Sequence, residues 1–255
     1  MQDWKNIQPQ TKYKILLIGD AGEDIYTYGD VNRVSPEAPV PVFEPKYTIH
    51  RDGMAGNVRK NLEALGCTVN FLYGETSRKN RFIDIRSKQQ LMRVDQDVQS
   101  IPVEFKTDIS AMYDAIVISD YNKGTVDYAL ITAIISSQTV PIFVDTKKTN
   151  LALLDGCYIK INALEKSRAI SVPHPEWLIV THGSDGAEWN NNLYSAETVG
   201  DVIDVCGAGD TFLAALVYKF LETQHMPDAI KFANKAAAVT VKHIGVYAPG
   251  LEEIK

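Results

Sequence analysis

The run Asp204-Val205-Cys206-Gly207-Ala208-Gly209-Asp210-Thr211-Phe212 combines residue types that could move a phosphoryl group. Phe212, Leu213, Leu216, Val217 and Phe220 follow at helical spacing, which predicts a helix beginning near Ala208. The first N–H groups of such a helix have no partner within it and point into the glycine turn, a cradle suited to an anion. Glycines at 207 and 209 let the backbone approach a ligand closely. The Asp210 carboxylate is wrong for phosphate and right for taking a proton from a hydroxyl. Alone, the run is equally an ordinary glycine turn whose acid merely favours the helix dipole.

The elements that must carry this turn are legible from periodicity. Short apolar runs at Ile15–Ile18, Val69–Tyr73, Ala115–Ser119, Ile142–Asp145 and Leu178–Thr181 read as buried parallel strands, with Tyr158–Ile161 as another. Between them lie helical patterns: Val58, Leu62 and Leu65 before Gly66, then Val126, Leu130, Ile131, Ile134 and Ile135. That alternation specifies an α/β fold with a doubly wound, mostly parallel sheet flanked by helices. Ligands of such sheets sit at the carboxyl ends of the strands, where Asp20, Asp120 and Asp145 would share one rim. Trp189-Asn190-Asn191-Asn192-Leu193 reads as a hairpin at the sheet's edge. Two stretches do not fit the sheet. Tyr26–Pro45 has four prolines among Val40, Val42 and Phe43, and Arg81–Val94 alternates Ile83 and Ile85 with Asp84 and Arg86. Together, over about 25–45 and 77–97, they predict a small β-lid. With no repeat and no low-complexity linker, residues 1–255 read as a single domain.

Composition narrows the function. A 45% hydrophobic content supports a sizeable core, and a net charge of -6 argues against a general nucleic-acid surface. Cys67, Cys157 and Cys206 are odd in number and without paired spacing, which fits a reducing cytoplasm. Met1–Gln10 lacks an apolar core, and no apolar run is long enough to span a bilayer, so a soluble cytoplasmic protein is expected. No Gly-x-x-x-x-Gly-Lys-Ser/Thr occurs, which disfavours a P-loop kinase, and no Gly-x-Gly-x-x-Gly follows the first strand, which disfavours a Rossmann oxidoreductase.

Ser35-Pro36-Glu37-Ala38-Pro39-Val40-Pro41-Val42, Asn162-Ala163-Leu164-Glu165 and the glycine turn appear in the order of the ribokinase-like (PfkB) carbohydrate kinases, which the chain resembles from about Lys14 to Pro249. Arg33–Val42 and Ser119-Asp120-Tyr121-Asn122-Lys123-Gly124 look most like the kinase domain of the heptose 7-phosphate kinase and ADP-heptose synthase group. The resemblance implies an ATP- and magnesium-dependent kinase acting on a sugar or sugar phosphate. D-glycero-D-manno-heptose 7-phosphate is the first candidate acceptor, and a homodimer pairing through the lid is implied too. Other acceptors, nucleosides included, and a trimmed homologue that binds without catalysis stay open.

It also implies roles. Asp210 would be the catalytic base, with the N–H groups of Gly207, Ala208 and Gly209 as the anion hole for the γ-phosphate. Asn162 and Glu165 would act around magnesium through water, although the same pair reads as a helix cap with its capping-box partner. Thr181, Gly183 and Gly186 match the nucleotide-binding loop, where His182 reads as an ordinary loop histidine. Asp145 and Lys147 would stand beside the phosphates, Asn234 beside adenine, and Asp204 beside a monovalent cation such as potassium, or simply as a turn acid. On the acceptor side Asp20 would bind sugar hydroxyls, joined by Asp24, Gly53 and Asn57. Lys123, Arg86 and Arg93 would receive a phosphate already on the acceptor.

The chain departs from the family in places. Relatives usually carry Gly-Gly before the asparagine helix, where this chain has Gly53-Met54, implying a stiffer hinge. Between Gly74 and Arg81 it lacks an α/β unit, 166–177 is shortened, and Cys206 stands where threonine is common.

Overall fold

The computed structural model describes residues 12–105, 112–197, 200 and 202–254; the reading of Met1–Gln10 lies outside them. The apolar runs pair as expected. Strands β1 (Lys14–Gly19), β4 (Thr68–Leu72), β7 (Ala115–Asp120), β8 (Ile142–Thr146), β9 (Tyr158–Asn162) and β10 (Leu178–Thr181) are mutually parallel. The hairpin of β11 (Ala187–Trp189) and β12 (Asn192–Tyr194) extends the sheet antiparallel, giving the order β12-β11-β10-β9-β8-β7-β1-β4.

Because side chains alternate along a strand, each run feeds two cores. Ile15, Leu17, Val117 and Phe143 pack with α1 (Ala55–Ala64), α4 (Ala208–Thr223) and α5 (Met226–Thr240). Leu16, Ile18, Ile118, Val144 and Ile161 pack on the opposite face with α2 (Tyr128–Ser137). Helix α4 buries Leu213, Leu216, Val217 and Phe220 in the first core, which fixes its N-terminus at the carboxyl rim of the strands. No helix among the described residues is long and apolar enough to cross a membrane.

The remaining strands form a second sheet, ordered β3-β2-β5-β6, from β2 (Ala21–Val34), β3 (Pro41–Met54), β5 (Thr76–Asp84) and β6 (Gln90–Gln96). It starts nearer the main sheet than the hydrophobic pattern indicates. Its inner rows are polar, and they pair through Glu23 with His50 and Arg78 and through Asp24 with Arg81. Pro41 and Pro45 lie on β3, an edge strand, where a missing donor is tolerated. The alternation through Ile85 and Arg86 is interrupted: β5 stops at Asp84, whose carboxylate accepts the Ser87 N–H at 2.8 Å and turns the chain into β6.

Candidate active site

The first turn of α4 is built as its residues require. Gly207 caps the helix with φ of 78°, a left-handed conformation, and a Cβ there would stand 2.7 Å from Asn57 Nδ2. The Ala208 N–H bends back to the Val205 carbonyl at 3.3 Å, so the open donors of the turn are its neighbours, Gly207 and Gly209, and not all three of the expected amides. Asp204 holds the turn from behind, accepting N–H groups from Cys206 at 3.0 Å and Gly245 at 2.9 Å. Those bonds, the Cys206 N–H first, keep its carboxyl below the usual range. That is the geometry of a turn acid.

Asp210 is 7% exposed. Its Oδ2 accepts from Asn57 Nδ2 and its Oδ1 from the Tyr121 hydroxyl, each at 2.8 Å. Burial pushes its pKa above the usual carboxylate range; Asn57 pulls it back, Asp145 adds to the rise, and Tyr121 and Lys160 oppose it. Tyr121 remains a protonated donor because burial, with Asp210 and Asp145 beside it, holds the phenol well above its ordinary value. Asn57 therefore faces the acid rather than open space.

Beneath the turn lies a residue that sequence reasoning passed over as part of a strand. Lys160 is 5% exposed, its Nζ donates to Asp145 Oδ2 at 2.7 Å, and a Cβ on Gly209 would stand 3.0 Å from that ammonium. Burial alone would depress it, but Asp145, Asp210 and Glu165 outweigh burial and hold it above the usual lysine value. A lysine inside an otherwise apolar strand was the available signal.

On the other side of the turn opens a cavity of about 740 Å³ lined by Lys160, Asn162, Thr181, Gly183, Gly186, Asn234, Ala208 and Gly209, among others. The structure thus gathers most of the residues expected around a nucleotide. Asn162 caps α3 (Ala163–Arg168) by accepting the Glu165 N–H at 2.9 Å, and Glu165 returns by accepting the Asn162 N–H at 2.8 Å. Lys147 pairs with the other Glu165 oxygen and sits 5.5 Å over the Tyr121 ring. Among the described residues no group of three or more acidic, His or Cys side chains could cage a metal; the amide and carboxylate of Asn162 and Glu165 are a donor set that a magnesium ion keeping its waters could use. Asn234 spends its amide on the Tyr194 carbonyl at 2.8 Å and presents only its remaining atoms to the cavity.

The acceptor side needs correction. Asp20 is 1% exposed and accepts N–H groups from Tyr121, Lys123 and Thr125 at 2.8, 3.0 and 3.2 Å. It shapes the loop that delivers Tyr121 and is not open to a diol. Asp24 is the accessible acid, with Arg81 Nη1 at 2.6 Å from its Oδ1 and Gly53 beside it. Arg86 is exposed at the β5–β6 turn. Arg93 pairs with Asp95 at 2.8 Å on the outer strand, and Lys123 pairs with Asp97 at 2.8 Å. Arg93 and Lys123 are therefore paired and not free cations.

Register places other cations there. Asp24 lies opposite Arg51 on one side and Lys79 on the other, and Tyr26 opposite Arg81, so these side chains share a face of the small sheet. Both guanidiniums flank Tyr26, at 5.5 and 5.0 Å from its ring, and Arg51 Nη1 lies 3.1 Å from where Gly245 would carry a Cβ. That face looks toward the glycine turn. Cross-strand register, invisible without the pairing, is what brings them together.

Residues 117–254 match the family model described as pfkB family carbohydrate kinase. The bifunctional protein HldE of a Nitratiruptor species is 32% identical over 301 aligned positions, covering 96% of this chain and 64% of the relative. HldE of Helicobacter acinonychis (strain Sheeba) is 31% identical, covering 94% and 65%, so the chain spans somewhat less than two thirds of the length of these relatives. Among solved structures, Arabidopsis thaliana ribokinase complexed with ribose and ATP superposes with a TM-score of 0.67 at 16% identity, covering 95% of this chain and 97% of that one.

Proposed function

The chain belongs to the pfkB family of carbohydrate kinases, and from that premise we propose that it transfers the γ-phosphoryl group of ATP to a hydroxyl of a phosphorylated sugar, D-glycero-D-manno-heptose 7-phosphate being the acceptor we favour. The heptose assignment draws on likeness to the HldE proteins and on the cations Arg51, Lys79 and Arg81 gathered around Asp24. ATP enters the cavity beside α4, with its γ-phosphate against the Gly207 and Gly209 amides and its charge offset by Lys160 and Lys147. Asn162 and Glu165 would hold magnesium through water, and the ion would further neutralise the phosphates. Asp24 holds acceptor hydroxyls, and Gly53 leaves room for them.

Asp210 takes the proton of the attacking hydroxyl, as it enters in place of one of the two hydrogen bonds on the carboxylate. A desolvated carboxylate with a raised pKa is a stronger base than a solvated one. The observation that carries this reading is that carboxylate, held by Asn57 and Tyr121 at the first turn of a glycine-capped helix with a buried lysine beneath. A coupled ADP-release assay against heptose and hexose phosphates tests it. Wild-type turnover lost in Asp210→Asn supports the assignment, and no ADP release across the panel removes it.

Three finer points belong to the same proposal. Asp204 bears on a potassium site only if turnover depends on potassium; its oxygens already serve two backbone donors. The exposed Val34 and Met92 of the small sheet, with Val40 in the bend between β2 and β3, suit pairing with a second copy, and a monomeric mass in solution would remove that idea. The unpaired Cys67, Cys157 and Cys206 are in keeping with a cytoplasmic setting.

A further inference from the structure

Met54 joins the end of β3 to the start of α1, and its backbone has φ of 53° and ψ of -132°. That quadrant belongs to glycine, and for other residues it is strained wherever it occurs. Met54 makes no side-chain capping bond to the helix it precedes. The Ala55 N–H is tied to the Asp20 carbonyl at 3.1 Å, so the peptide that follows is fixed and the strain stays at Met54.

What the side chain does there is specific. Gly22 and Gly53 are register partners, so the sheet has a hollow next to Asp24 where two side chains are missing. Met54 fills it: a Cβ on Gly22 would stand 3.0 Å from its Cγ and 3.2 Å from its Sδ. What remains is a pocket of about 20 Å³ bounded by Asp24, Met54, Ser77 and Lys79, among others. That is room for about one water molecule.

Building on the reading of Asp24 as the acid that holds acceptor hydroxyls, we infer that Met54 is the residue that limits acceptor size, its thioether closing the hollow beside the carbons whose hydroxyls Asp24 binds. Acceptors substituted at those carbons, for example with an acetamido group in place of a hydroxyl, meet the methionine and are turned away. Met54 touches the acceptor by bulk alone and has no part in proton or phosphoryl transfer.

The experiment measures kcat/KM for hexose and heptose phosphates, each with a free hydroxyl or an acetamido group on the ring, in wild type, Met54→Ala and Met54→Gly. Alanine removes the plug and keeps the strained backbone, whereas glycine removes both and fits the observed φ, so Met54→Gly melts no lower than wild type. The preference for unsubstituted acceptors falls at least about tenfold in both variants, the low end of what one methylene of misfit commands. A preference unchanged within twofold in both, or relaxed in glycine alone, overturns the inference; the second result would assign the effect to backbone freedom. Should the alanine variant fail to melt cooperatively, Met54→Leu, which keeps the bulk, has to retain the wild-type preference while Met54→Gly loses it. A wild type that turns over no acceptor defeats the kinase reading; turnover with unaltered preference defeats this inference alone.

Discussion

Replacing Tyr121 by phenylalanine deletes one of the two hydrogen bonds on Asp210 and leaves the ring in place over which Lys147 sits. The phenol donates to a carboxylate in a desolvated site, and a hydrogen bond to a charged group is worth about 1.5–3 kcal/mol. The bond favours the ionised form, so its loss raises the pKa of Asp210 further in the direction burial already drives it. At a fixed pH on the acid side of the profile, less of the base is ionised. At about 1.36 kcal/mol per tenfold, kcat/KM there falls by roughly 10- to 150-fold. The loss shrinks as pH rises, because the carboxylate ionises again and the base that returns is stronger. The assay is steady-state ADP release from pH 5 to 9 with the sugar phosphate varied, comparing the acid limbs of kcat/KM. A Tyr121→Phe profile lowered equally at every pH would mean the hydroxyl only orients the acid, and a profile superposing on wild type would refute the coupling altogether.

Asp210→Asn abolishes turnover and, at neutral pH, raises the melting temperature. The folded-state pKa of the acid is raised, so its favourable contribution exists at low pH and is lost as pH climbs through the folded value; the gain over wild type therefore vanishes on acidification, as calorimetry would show. Lys160→Met leaves Asp145 buried and unpaired, which costs about 3–5 kcal/mol in denaturant unfolding. Adding Asp145→Asn recovers most of that stability but not kcat, and recovery of both would assign Lys160 a structural role only. Gly207→Ala forces an L side chain into a left-handed conformation at roughly 1–2 kcal/mol and presses on Asn57, so stability and kcat fall together. Wild-type kinetics in that variant would show that the turn tolerates a Cβ.

The middle of the main sheet was legible because strands such as β7 are buried on both faces, so runs such as Ala115–Ser119 carry no polar interruption. The glycine turn and the helix it opens were legible because glycine spacing and helix periodicity are local properties. The small sheet was read short, since Glu23, Asp24, Arg51 and Asp52 are polar on both faces and give no hydrophobic alternation. Asp20 misled for a different reason: its place at a strand end suits ligand binding, but the Tyr121–Thr125 loop folds over it and claims both oxygens. Asn162 and Glu165 form the capping box, and Asn162 also lines the cavity beside α4. Tyr121 belongs to the Ser119–Gly124 run, yet only the folded loop shows that its hydroxyl reaches Asp210.

The charges around the turn argue that an anion completes it. Lys160 puts a buried ammonium under the N-terminus of α4, where the helix dipole is already positive, an arrangement that is repulsive by itself. Asp145 answers the lysine with a direct ion pair, and Asp210, inside the first turn, answers the dipole. Yet Asp210 has both oxygens engaged by Asn57 and Tyr121 beside the turn, and among the described residues neither oxygen bonds the Gly207 or Gly209 amide. From the opposite side Arg51 reaches the Gly245 loop, with no carboxylate bonded to it among the described residues. A protein of net charge -6 has thus concentrated cations and amide donors at one point and placed the acids just behind them. A neutral ligand would leave that concentration unanswered. On the proposed reading, the terminal phosphate of a nucleotide would answer one side and a phosphate carried by the acceptor the other.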